Sequence, residues 1–67
     1  MTEFKVQEGF GPLENLSDCW DVEVVRCFGT EKEAQEFSEK WFEVRIPHLM
    51  QSQPDWWKSF WVRVVVE

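Results

Sequence analysis

A chain of 67 residues carrying a net charge of −6 is bounded before any motif is read. So short a chain buries only about 60% of the surface its unfolded form exposes, so a single domain, residues 1–67, is expected, held by large core side chains, a cross-link, a metal or a second copy. Thirteen acids against seven Lys and Arg lack the phosphate-neutralising term on which nucleic-acid affinity rests, which argues against direct binding to DNA or RNA.

Phe and Trp make up 16% of the residues. Each can bury roughly 150–250 Å², so aromatic rings are the expected staple. No apolar run approaches the roughly 20 residues of a membrane helix, and no membrane association is expected. The opening "MTEFKVQEGF" has neither the basic nor the apolar region of a secretory leader, so a cytoplasmic location is expected.

"TEFKV" alternates, with Phe4 and Val6 on one side and Glu3, Lys5 and Gln7 on the other, and predicts a short strand. "GFGPLENLSD" reads as a loop, tacked to the core by Phe10, Leu13 and Leu16. "CWDVEVVRCF" predicts a second strand. Trp20, Val22, Val24 and Phe28 share one face, interrupted by Arg26, and Asp21, Glu23, Val25 and Cys27 share the other. One apolar and one mixed face predict a sheet packed on one side only. Cys19 and Cys27 would lie about 26 Å apart along that strand. A disulfide needs Cα atoms within about 7 Å, so both are expected as free thiols.

"GTEKEAQEFSEKWFEVRIP" predicts a helix. Gly29 breaks the strand, Thr30 is an N-cap, and Glu33 completes a capping box. Ala34, Phe37, Trp41 and Val44 form an apolar stripe. Pro47 disfavours helical geometry at Ile46, so the helix is expected to end near Val44 or Arg45. A competing reading ends the helix near Lys40. "WFEVRI" then becomes an extra strand, with Phe42, Val44 and Ile46 opposite Trp41, Glu43 and Arg45. "PHLMQSQPDWWKS" reads as a loop with a helical turn after Pro54. "FWVRVVVE" predicts the last strand, Phe60, Val62, Val64 and Val66 facing one way and Trp61, Arg63, Val65 and Glu67 the other.

The β-β-α-β order predicts an α+β fold: a three-stranded antiparallel or mixed sheet with one helix packed on one face. The expected core is Phe4, Val6, Trp20, Val22, Val24, Phe28, Ala34, Phe37, Trp41, Phe60, Val62 and Val64.

Catalysis needs a nucleophile, a base and an orienting group within reach. The chain has one histidine, His48, and no local motif joins it to Cys27. The helix carboxylates read as a solvated face rather than an acid–base pair. Cys19, Cys27 and His48 match no metal-ligand spacing, and "GFGP" opens no helix that would cradle a phosphate. No enzyme activity and no cofactor are expected.

Two surfaces remain. Residues 18–43 carry Asp18, Asp21, Glu23, Glu31, Glu33, Glu36, Glu39 and Glu43 against Arg26, Lys32 and Lys40, a balance of −5. Glu36, Glu39 and Glu43 share an outer helix face with Glu33 at its edge. Such a row can enter a basic groove, and the alternative is an ordinary solvated face with Glu36–Lys40 as an i, i+4 pair. The second surface is the outward face of the sheet, where Trp61, Arg63 and Val65 lie with Val25 and Cys27 alongside; Trp57 is a further candidate contact residue. Trp and Arg often anchor interfaces. A partner, a second copy or the "PDWW" loop would cover Trp61. Of Trp56 and Trp57, one is expected to cap the core edge while the other is exposed.

The layout strand, T-x-x-E-A-x-x-F helix, strand is carried by "DVEVVRCFGTEKEAQEFSEKWF" and "SFWVRVVVE", about half the chain. It resembles small acidic proteins encoded by bacteriophages. The resemblance implies a non-enzymatic inhibitor that binds and blocks a host nucleic-acid-handling or defence protein in the host cytoplasm. Its carboxylates would then imitate DNA in a basic groove, or Trp61 and Arg63 would form a hydrophobic plug. The alternative expectation is an assembly subunit, dimerising through its sheet; monomer and homodimer both stay open.

Overall fold

The computed structural model describes residues 2–67. Strand β1 (Phe4–Phe10) is central, strand β2 (Trp20–Phe28) lies on one side of it and strand β3 (Phe60–Val66) on the other. Both pairings are antiparallel. One long helix, α1 (Glu31–Ser52), crosses one face of this open sheet, so the fold is α+β as the periodicities predict. Short 3-10 turns at Leu16–Asp18 and Trp57–Ser59 lead into β2 and β3. The principal extents of 39 × 26 × 14 Å are those of a two-layer slab.

Strand β1 is longer than its alternating start suggests, because Gly9 and Phe10 continue the ladder. It turns at Gly11, whose φ of +110° is in the left-handed region where glycine carries no Cβ penalty. Phe10 enters the core with Phe60 and Leu49, while Leu13 and Leu16 stay exposed rather than fastening the loop.

The expected face assignment of β2 fails for a specific reason. Val6 pairs with Arg26, but the next residue, Gln7, pairs with Val24, and a second irregularity separates Glu8↔Glu23 from Phe10↔Trp20. Opposed residues of an antiparallel pair share a face, so each one-residue slip transfers side chains across the sheet. Val24 joins Gln7 on the outer face, and Val22 lies against the outer side of Gly9. The two valines are 50% and 39% exposed, not buried under the helix. Glu23 instead turns to the helix side opposite Glu8, and Arg26 lies over the Phe28 and Phe37 rings. Asp21, at φ +54°, sits within the second irregularity. Trp20 keeps the expected face and stacks on Phe10, yet remains exposed. Cys19 precedes β2 rather than opening it; both thiols are free, and Cys19 Sγ donates to the Pro12 carbonyl at 3.2 Å.

The helix starts as its cap dictates. The Thr30 hydroxyl accepts the Glu33 backbone N–H at 3.3 Å and donates to the Glu33 carboxylate at 3.0 Å. It does not end at Val44 or Arg45, and residues 42–46 form no strand: α1 continues through Pro47 to Ser52. Proline has no N–H for the Glu43 carbonyl, a local loss in a helix interior. Packing offsets it beyond the proline, where Leu49 is buried against Phe10 and Phe60 and Ile46 packs on that cluster. The inward stripe therefore runs Ala34, Ser38 and Leu49, buried, with Trp41 and Arg45 half-buried between them, and Val44 faces solvent. A half-buried polar clasp joins α1 to β1. The Trp41 indole N–H donates to Glu8 Oε1 at 2.6 Å, and Arg45 lies 3.9 Å from the other Glu8 oxygen.

Candidate protein-binding surfaces

Strand β3 alternates as its sequence demands. Phe60 stacks on Phe42 of the helix, and Val62 packs on the same side. Trp61 and Arg63 take the opposite, outer face, where the Arg63 Nε–H donates to Gln7 at 2.8 Å. Outward direction does not make Trp61 exposed, since only 6% of it is accessible. Its cross-strand partner is Gly9, and the indole occupies the space a Cβ would need: an added methyl there would sit 2.6 Å from Trp61 Cζ2. Val22 meets the same position, and the Arg63 guanidinium lies 5.5 Å from the indole ring centre. Neither the "PDWW" loop nor an outside chain is needed to bury Trp61. The indole N–H is buried with no hydrogen-bond partner among the described residues.

Trp57 and Trp56 take the divided roles expected of them. Trp57 packs half-buried on the Phe10, Leu49 and Phe60 cluster, with Lys58 over its ring. Trp56 is exposed and meets Phe10 and Trp20 edge-on.

Glu33, Glu36, Glu39 and Glu43 are all exposed on α1. Glu33 is engaged in the cap. Glu36, Glu39 and Glu43 enter no ion pair among the described residues, and the Glu36–Lys40 pair is not formed. Spaced by three and four residues, these three carboxylates stand about 4.5 and 6 Å apart along a rigid axis.

A groove of about 520 Å³ separates this row from β3. Phe42, Phe60 and Val62 supply its apolar part, Gln35, Glu39 and Glu43 its exposed polar part, and among the described residues no cation lines it. Sequence reading missed this feature; the alternation of Phe42 with Glu43 was its only trace.

The groove opens beside a free strand edge. Backbone bonds join Glu3 to Glu67 in both directions, and the Gly11 N–H donates to Ser59. Hydrogen-bonded and non-bonded pairs alternate along an antiparallel ladder, so the odd-numbered residues of β3 face β1. The N–H and C=O groups of Val62, Val64 and Val66 therefore point away from the sheet. Phe60 N–H, which also turns away, is taken by the Trp57 carbonyl.

Among the described residues, no helix is long and apolar enough to cross a membrane, and no three His, Cys, Asp or Glu side chains stand together as metal ligands. Comparison with protein-family models, curated proteins and solved structures finds no match to this chain.

Proposed function

We propose that the protein is a non-enzymatic binding module that sets the acidic face of α1 against a basic site on another protein. One observation carries the reading: among the described residues Glu36, Glu39 and Glu43 stand unpaired on one side of a rigid helix, while Trp61, the rival contact residue, is buried against Gly9 on the outer face of its own sheet. Fixed carboxylates at that spacing offer a partner charge already arranged, which favours fast and specific encounter. Supported by the resemblance to small acidic bacteriophage proteins, the fuller form of the proposal is an inhibitor that occupies the nucleic-acid groove of a host protein in the host cytoplasm.

Capture from a bacterial lysate by the immobilised protein tests it, with Glu36→Lys/Glu39→Lys alongside. The expected result is a captured basic protein that is released as salt rises and is not captured by the double variant. Equal capture by both proteins, insensitive to salt, would overturn the reading, since an exposed charge contact weakens when the Debye length shrinks from about 10 Å at 0.1 M toward 3 Å at 1 M.

A second reading rests on a different observation. Val22 and Val24 are exposed on the outer sheet face, which among the described residues no α-helix covers. Two copies meeting through these faces would form an assembly subunit. Sedimentation at high concentration decides it: a strict monomer removes this reading.

A further inference from the structure

The free edge of β3 and the groove beside it belong to one surface with three properties. The edge offers the N–H and C=O of Val62, Val64 and Val66 in the spacing of a strand, and β3 has no register shift over its seven residues. The groove adjoining it has an apolar part, Phe42, Phe60 and Val62. Its charged lining is wholly acidic, Glu39 and Glu43.

We propose that this surface takes an extended segment of a partner protein as a fourth strand, one in which basic residues alternate with apolar ones. The proposal deepens the binding reading above and rests on it. Alternate side chains of an added strand fall on opposite faces. Those on the helix side lie over Phe42, and Arg or Lys suits that position. The aliphatic stem covers the ring while the charged end reaches Glu39 or Glu43. Those on the other side stand beside Arg63 and Val65, where a second basic row would be repelled and Val or Ile fits.

A second copy of this chain is the poorer occupant. Pairing β3 with itself about a two-fold axis brings Glu39 and Glu43 of each copy toward those of the other, between chains that each carry −6. Its helix-side row, Phe60, Val62, Val64 and Val66, supplies no cation for them.

The test is a titration of the ¹⁵N-labelled protein with the seven-residue peptide acetyl-VRVRVRV-amide, matched to the length of β3. Two N-methylated forms accompany it, one methylated on every Val amide and one on every Arg amide. The expected result is that amide shifts gather at Val62, Val64 and Phe42. One methylated form loses binding altogether because its ladder donors are gone, and the other binds within about threefold of the parent. Glu39→Gln/Glu43→Gln weakens the parent peptide about tenfold at low salt, as two exposed ion pairs allow, and Glu14→Gln, exposed and outside the groove lining, changes it less than about twofold.

Equal binding of both methylated forms would overturn the proposal, because a charge contact without a ladder ignores amide methylation. So would shifts centred on Glu36, or concentration-dependent protection of the Val62 and Val64 amides without peptide, which is self-pairing. If the peptide fails while the lysate partner is still captured through Glu36 and Glu39, the strand-addition proposal falls and the binding reading survives.

Discussion

The two edges of the sheet are built on opposite plans. Along β2 the ladder slips twice, Asp21 adopts a left-handed backbone, and Asp21, Glu23 and Arg26 are exposed charges. Bulges and charges are the usual means of keeping a strand edge from pairing with another chain. Along β3 there is no slip, Arg63 is the one charge between Phe60 and Val66, and its side chain is committed to Gln7 and Trp61. The same small sheet therefore closes one edge and leaves the other open. The open edge of β3 lies beside the acidic groove, and the proposed contact falls on its outward-pointing backbone at Val62, Val64 and Val66 rather than on the Trp61 side chain.

Proline substitution is the strongest way to break this comparison. Val65 donates its N–H to β1, so Val65→Pro removes a ladder bond and leaves a β1 carbonyl without its donor, costing about 1–3 kcal/mol, read by urea denaturation. The Val64 N–H points away from the sheet, so Val64→Pro loses no ladder bond and costs clearly less, while removing the centre of the free edge. Equal costs would mean that the odd–even assignment of β3 is wrong.

Gly9 lies between the two edges and holds a residue of each. Gly9→Ala forces Trp61 and Val22 away from their seats and is expected to cost about 2 kcal/mol by overpacking, with a change in tryptophan fluorescence. Asp21 tests the closed edge. Asp21→Val places a β-branched residue at positive φ and costs about 1–2 kcal/mol in thermal unfolding, whereas Asp21→Gly is tolerated.

The smallest effect is at the far end of β3, where Lys5 pairs with Glu67 at 2.8 Å. The hydrogen bond to Glu67, and then its charge, raise the Lys5 pKa above the ordinary lysine value. Because the folded value is the higher one, this contribution is complete below the unfolded lysine pKa and fades as pH rises through the raised value. Glu67→Gln is accordingly expected to unfold slightly more easily than the parent at neutral pH, with the difference vanishing in alkali.

What was legible in the sequence is what local rules govern. Thr30 and Glu33 announce the helix start, and strict alternation places Phe60 and Val62 toward α1 and Trp61 away from it. Val22 and Val24 were misplaced because β-bulges carry no reliable mark in an alternating strand, and each slip inverts the faces after it. The helix end is not legible from local rules: Pro47 alone disfavours continuation, whereas Leu49 gains its burial from Phe10 and Phe60, distant in the chain. Trp61 takes the expected direction and is covered within the chain, but not by the "PDWW" loop: its ring lies in the space that Gly9 leaves free, beside Val22, visible only once the register of β1 and β3 is known. The exposed carboxylates of α1 were evident from their spacing. The groove between Phe42 and β3 was not, because it exists only where two distant segments meet.

The openness of the β3 edge is the claim on which the rest depends, and amide hydrogen exchange of the isolated protein measures it residue by residue. Trp61, Arg63 and Val65 are expected to exchange slowly, within the ladder, while Val62, Val64 and Val66 exchange fast at every protein concentration. Slow exchange at Val62 and Val64 would mean the edge is already paired and would contradict the account.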